Sequence, residues 1–380
     1  MKIYWATRLR GFLKHVSSSS NKLDFILDNN FYETNGFKQK ILSKIIRLKI
    51  MDIFGLYSTI SIKNKECDYY ASFNRFLICD KPYFIYLENP TALYHYSLNR
   101  IKYPMGKRRF YSNITDKNLK AIICMSKTCK NTFNIINGEI PKGLKIQTIY
   151  PLVPNNKFIN KKQISEKSKR HTIELLYCVQ GIRFVSKGGL EVLEAIRGMN
   201  NVHLTIITKI SDVDTKIIDS IKNESNVSLY DFCFKYNELE KIYANTNILL
   251  QPTSDDSFGL TILEAMKGGC AIITTSLYSI PECVENNVNG ILLEPKYYFF
   301  DKNGIPNPKV WNNRKKTIYS KETSRRLIND IIDSIKKLEN DRGLLYSMSL
   351  NSYKKSIDDN LFGENGIRKQ WEEFVLNLDK

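Results

Sequence analysis

The chain has 380 residues, of which 42% are hydrophobic, 12% aromatic and 25% charged. That excludes a disordered chain, and the length asks for two hydrophobic cores rather than one. Lys and Arg number 57 against 39 Asp and Glu, a net charge of +18.

The excess is uneven. Residues 1–170 carry 31 cations and 11 anions, while the remainder is nearly balanced at −2. Codon drift toward lysine would load both halves alike, so the basic half suggests an anionic partner: nucleic acid, a membrane surface or a phosphorylated substrate. The eight cysteines are scattered without a CxxC pair and read as small core residues of a reduced, cytosolic chain. Four histidines with no HExxH and no Cys/His cluster argue against a zinc site. Arg8, Arg10 and Lys14 interrupt any signal-peptide core, and no apolar run reaches the roughly 18 residues of a membrane span. Any membrane contact is therefore expected to be peripheral.

In chain order, strands are expected at residues 2–6, 23–27, 83–87, 121–125 and 145–150. Residues 38–51 (KQKILSKIIRLKIM) place apolar residues at helical spacing with a basic opposite face. Such a helix is either an ordinary solvated one or one attracted to anionic lipid, and Lys107-Arg108-Arg109, in an expected loop, could join it. Residues 153–171 read as a polar, basic linker without a core segment. Beyond it, strands at 173–179, 202–207, 248–251, 271–274 and 291–293 alternate with helices starting near Gly189, Thr215 and Phe258. This alternation predicts an α/β fold with a parallel sheet and ligands at the carboxyl ends of its strands. Residues 301–320 read as a polar insertion, and two helical stretches finish the chain.

Two loops carry the chemistry. The first, Gly181-Ile-Arg183-Phe-Val-Ser-Lys187-Gly-Gly189, joins a strand to a helix. Its glycines allow close backbone approach, and Lys187 and Arg183 suit a diphosphate at the helix start. A glycine-rich turn with surface cations would look the same. The second is Asp256-Ser-Phe258-Gly259-Leu260-Thr-Ile-Leu-Glu264-Ala-Met, at a strand end and helix start. Carboxylates there accept hydrogen bonds from sugar or ribose hydroxyls, or Asp256 merely caps the helix. Asp212-Val-Asp214 spells a metal-binding triplet, but its place before a helix suits capping better.

The pattern Asp256-x7-Glu264-Ala-Met resembles the signature of the retaining glycosyltransferases of family 4, the group 1 glycosyltransferases. Gly181 and Lys187 stand at the spacing of that family's phosphate loop, and Gly269-Cys-Ala-Ile-Ile-Thr-Thr and residues 280–295 are also similar. The resemblance is specific over 171–295 and loose before it, where it rests on residues 121–126 and 149–153. It implies the GT-B architecture: two Rossmann-like domains with parallel sheets facing across a cleft. The acceptor-side domain would be residues 1–155, completed by a C-terminal helix at 362–380, and the nucleotide-sugar domain residues 156–361.

By match, Glu264 would hydrogen-bond the ribose hydroxyls, Asp256 would contact the donor sugar, and backbone N–H groups of Phe258, Gly259 and Leu260 would meet the sugar or its phosphate. Lys187, with Arg183, would neutralise the leaving diphosphate, so that neither metal nor other cofactor is required. Glu88 and His95 are the acceptor-side candidates. Three departures stand out: Asp256 replaces the usual glutamate, Ile182 replaces the usual arginine with Arg183 one place later, and the Gly-Gly pair after the first strand is absent. The implied function is sugar transfer from a nucleotide sugar to a lipid-linked or polysaccharide acceptor. The implied setting is bacterial surface polysaccharide or lipopolysaccharide synthesis on the inner face of the cytoplasmic membrane. The alternatives are a catalytically inactive relative that binds, and a basic nucleic-acid-binding protein; no nucleic-acid motif supports the second, so no nucleic-acid partner is expected.

Overall fold

A computed structural model describes residues 1–7, 11–19, 22–27, 45–46, 48–57, 59–138 and 140–378. The chain divides into two compact units, Met1–Leu152 with Glu364–Lys380, and Val153–Gly363.

In the first unit the elements are β1 (Lys2–Trp5), α1 (Gly11–Ser19), β2 (Asp24–Leu27), α2 (Lys49–Ile53), β3 (Ile60–Ser61), β4 (Tyr69–Phe73) and β5 (Leu77–Ile78). They continue with β6 (Tyr83–Leu87), α3 (Pro104–Ile114), β7 (Leu119–Cys124), α4 (Lys127–Asn137) and β8 (Lys145–Thr148). Six strands form a parallel sheet in the order β2-β1-β4-β6-β7-β8, and β3 pairs with β5. Strands β4 (YYASF) and β6 (YFIYL) are buried along their whole length, as a sheet covered on both faces requires. Sequence periodicity finds β6 but not β4, because YYASF has no aliphatic run.

The second unit runs through α5 (Lys161–Ser168), β9 (Ile173–Cys178), α6 (Gly189–Ile196), β10 (Val202–Thr208), α7 (Thr215–Lys222) and β11 (Val227–Asp231). It continues with α8 (Tyr236–Asn245), β12 (Ile248–Gln251), α9 (Leu260–Lys267), β13 (Ala271–Thr275), α10 (Ile280–Cys283) and β14 (Gly290–Leu293). Helices α11 (Pro308–Trp311), α12 (Arg325–Asn340) and α13 (Arg342–Ile357) complete it. Its six parallel strands take the order β11-β10-β9-β12-β13-β14, the doubly wound Rossmann order. The strand direction of build reverses between β9 and β12, which pair through Ile248 with Leu175 and Leu249 with Leu176. Beyond those two strand ends lies the switch-point crevice where such sheets bind ligands. Helix α14 (Glu364–Leu376) then rejoins the first unit, where its Trp371 ring lies 5.2 Å from that of Tyr86.

Several sequence expectations are corrected. Lys107, Arg108 and Arg109 lie not in a loop but in α3, which Pro104 starts at its first turn. They face outward while Gly106, Phe110 and Ile114 face the core. The expected linker at 153–171 contains α5, capped by Asn160 through the Gln163 N–H at 3.0 Å, with Ile159 and Ile164 buried. It was hidden because its most deeply set polar residue, Lys167, carries a charge; the Lys167 ammonium donates to the carbonyls of Thr246 (2.6 Å) and Gly268 (2.8 Å).

The expected polar insertion at 301–320 belongs to a small aromatic core. Phe299 stacks on Trp311 at 4.3 Å, Phe300 on Tyr278 at 4.2 Å, and the Arg314 guanidinium lies 4.5 Å from the Trp311 ring centre. The end of the chain holds three helices rather than two stretches, because Asp341 stops α12 and caps α13 through the Leu344 N–H at 2.8 Å. The amphipathic segment 38–51 falls largely outside the described residues, with α2 as its described end. No helix among the described residues is long and apolar enough to cross a membrane.

Candidate donor site at the switch point of the second sheet

The two loops singled out by sequence follow β9 and β12, the strands on either side of the switch point. They are bound to each other: the Ser254 N–H donates to the Ser186 carbonyl at 2.9 Å. Gly188 lies at φ +82°, and a Cβ there would sit 2.5 Å from the Pro252 carbonyl oxygen, so only glycine allows this approach. Gly181 is similarly pressed against the Lys209 carbonyl oxygen, 2.3 Å from where its Cβ would be.

This closeness brings Lys187 and Asp256 together. The Lys187 ammonium donates to Asp256 Oδ2 at 2.5 Å, and both side chains are largely buried. Gln251 Nε2 donates to the same oxygen at 3.0 Å. The other oxygen, Oδ1, receives the Gly259 N–H at 3.0 Å and a longer contact from the Phe258 N–H at 3.4 Å. Two of the three backbone groups expected to meet a sugar phosphate, those of Phe258 and Gly259 but not Leu260, are thus held by Asp256, which acts at once as ion-pair partner and turn-former. Burial alone would raise its carboxyl, but the Lys187 charge and hydrogen bond, the Arg183 charge and the Phe258 N–H prevail and hold it below the usual range. Gly259, at φ +83°, turns the chain into α9, which starts at Leu260 rather than at Phe258.

Arg183, displaced by one position in sequence, ends a short 3-10 turn and donates from Nη1 to Asp255 Oδ2 at 3.1 Å, with its side chain 44% exposed. A partly exposed fork beside a buried ammonium offers two grades of cation, one fixed and one adjustable. The neighbouring Asp255 is fixed through its own N–H to Thr253 Oγ1 at 3.0 Å.

Glu264 stands about one turn into α9, half-buried, and accepts a hydrogen bond from the Tyr243 hydroxyl at 2.9 Å. Burial pushes its carboxyl up to about 7, against the lowering effect of the Tyr243 bond. Sequence reasoning did not single out Tyr243 or Gln251; both sit in apolar contexts, and only the fold places them against Glu264 and Asp256. Cys178, Cys270 and Cys283 are buried, as the apolar runs around most cysteines suggested, whereas Cys233 is exposed.

Glu88 and His95 belong to the first unit. Glu88 follows β6 and accepts from the Tyr96 hydroxyl at 2.7 Å, and its N–H donates to Asn74 Oδ1 at 2.9 Å. His95 is buried and lies at φ +57°. Asp214 caps α7 through the Lys216 N–H at 2.9 Å and pairs with Lys321 at 2.6 Å, while Asp212 pairs with Lys209 at 3.5 Å. Each acid of that triplet therefore has a lysine, and among the described residues no group of three or more His, Cys, Asp or Glu could hold a metal ion.

Comparison with known proteins bears on the fold and on part of the second unit. Residues 159–298 match the family model described as glycosyl transferases group 1. The uncharacterized glycosyltransferase MJ1607 of Methanocaldococcus jannaschii is 33% identical over 58 residues, a match that spans only 15% of either chain. Among solved structures, HepE of Anabaena in complex with UDP has a TM-score of 0.62 at 15% identity, covering 99% of this chain and 100% of that one. WaaG, described as a glycosyltransferase involved in lipopolysaccharide biosynthesis, has a TM-score of 0.59 at 14% identity over 99% and 100%. The chain thus has the GT-B fold, with a group 1 glycosyl transferase match over residues 159–298 of its second unit.

Proposed function

We propose that the chain is a glycosyltransferase whose second unit binds a nucleotide-sugar donor at the switch point of its sheet, without a metal or other cofactor. The observation that carries this reading is the meeting of Lys187, Asp256 and Arg183 at the ends of β9 and β12, with Glu264 on the helix that follows. Lys187 shares its ammonium between Asp256 and the donor diphosphate, and Arg183 turns from Asp255 toward the same phosphates. Glu264 accepts the ribose hydroxyls, and Asp256 holds the backbone turn of Phe258 and Gly259 and faces the donor sugar. Positioning and charge stabilisation on the departing diphosphate then supply most of the catalysis. Departure on the face that the acceptor attacks gives retention of configuration, and the acceptor proton passes to the leaving phosphate. Glu88 and His95 serve the acceptor side.

The acceptor is a lipid-linked or polysaccharide molecule of a bacterial surface-polysaccharide or lipopolysaccharide pathway, met at the inner face of the cytoplasmic membrane. Support comes from the basic N-terminal half, with Lys102, Lys107, Arg108 and Arg109 all exposed, and from the resemblance in fold to HepE and WaaG. HepE has been solved with UDP-glucose, so a UDP-sugar is the first donor to try. Titration of the protein with UDP-, GDP- and ADP-sugars tests the donor site, and flotation with anionic vesicles tests the membrane. Binding of no donor removes the reading, and flotation indifferent to lipid charge removes the membrane part. A second reading, an inactive relative, draws on the full engagement of both Asp256 oxygens within the protein; it predicts donor binding without nucleotide release.

A further inference from the structure

We infer that Tyr243 is a positioning residue for the donor's ribose, its hydroxyl fixing the Glu264 carboxylate so that one oxygen faces the ribose hydroxyls. The inference rests on the reading of Glu264 as the ribose acceptor. Tyr243 comes from α8 and Glu264 from α9, and the two helices are brought close by Gly268, where a Cβ would lie 2.5 Å from Tyr243 Cβ. The Tyr243 ring is buried, and its hydroxyl donates to Glu264 Oε2 at 2.9 Å. The buried Cys178, last residue of β9, lies close enough to Tyr243 for the two groups to influence each other's ionisation. A buried ring packed at its Cβ against Gly268 and bonded at its hydroxyl to Glu264 has little room to swing, and the carboxylate it holds shares that fixity. The Glu264 side chain borders a small recess walled also by Val153, Pro154, Tyr236, Leu239 and Glu240.

The charged groups around Glu264 leave the Tyr243 bond as its main support. Lys267, on the same helix, is committed to Asn155 Oδ1 at 2.7 Å and to the Ser356 carbonyl of α13 at 2.9 Å. Lys355 of α13 acts electrostatically on Cys283. From α8, Glu240 and Tyr236 share the recess; from β9 there is Cys178; and β12 and β13 beneath the helix carry no titratable residue. Burial already favours the protonated acid, so the hydrogen bond from Tyr243 is what draws Glu264 back toward the ionised form that accepts hydroxyl protons.

The test titrates wild type, Tyr243→Phe and Glu264→Gln with UDP, GDP and ADP across about pH 5.5 to 8.5, bracketing the carboxyl. Wild type is expected to bind one of the three with affinity falling toward acid. Tyr243→Phe should weaken that binding by about tenfold near neutrality and move the acidic midpoint to higher pH, with most of the affinity regained above the new midpoint. A packing defect alone would weaken binding at every pH and leave the midpoint in place. Unchanged affinity and midpoint in Tyr243→Phe overturn the inference while Glu264→Gln still abolishes binding. Full binding by Glu264→Gln overturns instead the reading of Glu264 itself, and no binding by wild type removes both. If Tyr243→Phe does not fold, 3-fluorotyrosine at position 243, a stronger donor, should move the midpoint to lower pH; no movement overturns the inference.

Discussion

Lys187 and Asp256 stand 69 residues apart in the chain and meet at 2.5 Å across the switch point. The pair exists because β9 and β12 are neighbours in the sheet although five helices and strands, α6 through α8, separate them in sequence. The lysine ammonium and the turn-forming acid neutralise each other, and under the proposed function a diphosphate would compete with Asp256 for the lysine. Breaking the pair from either side therefore has both a folding and a functional consequence.

Lys187→Met should lower unfolding free energy by about 3 kcal/mol, because it leaves the Asp256 carboxylate buried without its charge partner. The accompanying change is in acid sensitivity. The Asp256 carboxyl is held below its unfolded value, so its contribution is complete above about pH 4 and is lost as pH falls through the lower folded value. Denaturant titrations of wild type and Lys187→Met at neutral and acid pH check this: the difference between them should shrink in acid.

Glu264 gives the opposite sign. Its carboxyl is raised to about 7, so the folded chain holds a proton that the unfolded chain has already lost above about pH 4.5. Stability contributed at this position therefore falls as pH rises from there to 7 and is flat beyond. Glu264→Gln should be more stable than wild type at pH 8 by about 1–2 kcal/mol, allowing for partial exposure, while losing donor binding. Thermal unfolding at about pH 5 and 8 checks it; a destabilised variant at pH 8 would contradict it.

Gly188→Ala should be among the more damaging single changes in the second unit. The residue sits at φ +82° with the Pro252 carbonyl 2.5 Å from the added carbon, so strain and clash act together, costing about 2–4 kcal/mol. Gly198→Ala, also at positive φ but with open space around it, should cost only about 1 kcal/mol. Denaturation midpoints of the two variants separate the steric part from the conformational one.

Lys167→Ala should cost about 2–4 kcal/mol, since it leaves the Thr246 and Gly268 carbonyls, at the ends of α8 and α9, buried without their donor. Burial lowers the Lys167 ammonium to about 8, so in wild type this group's contribution grows as pH rises from about 8 to 10.4, where the unfolded lysine still holds its proton. Lys167→Ala should lack that rise when stability is followed over the alkaline range.

The two loops that meet at the switch point were legible from residue spacing because glycine, lysine and carboxylate types are constrained by backbone approach and charge, and those constraints survive in a single sequence. The Rossmann strands β9, β10, β12, β13 and β14 were legible for a similar reason, being near-continuous apolar runs. Lys167 and Tyr243 were not, since a buried lysine reads as solvent-facing and a core tyrosine reads as packing. The aromatic core around Trp311 was diluted by lysines and asparagines that point outward, so a hydropathy average over 301–320 conceals it. Asp256 shows the limit of motif reading: its position was legible, but not its commitment to Lys187, Gln251 and the Gly259 N–H.

Arg183 and Lys187 should also differ in kind. Arg183 is partly exposed and tied to Asp255, so Arg183→Ala should leave stability nearly unchanged and reduce turnover less than the loss of Lys187 does. Steady-state rates of the two alanine variants with one donor rank them; equal losses would place both cations on the phosphates alike.

The central claim is tested most directly by protein-dependent release of nucleoside diphosphate from UDP-, GDP- and ADP-sugars, with and without membrane lipid extract. The account predicts release from one donor class, stimulated by the extract, and a fall of about two to three orders of magnitude in Lys187→Ala. No release from any donor, or release that Lys187→Ala leaves intact, would contradict it.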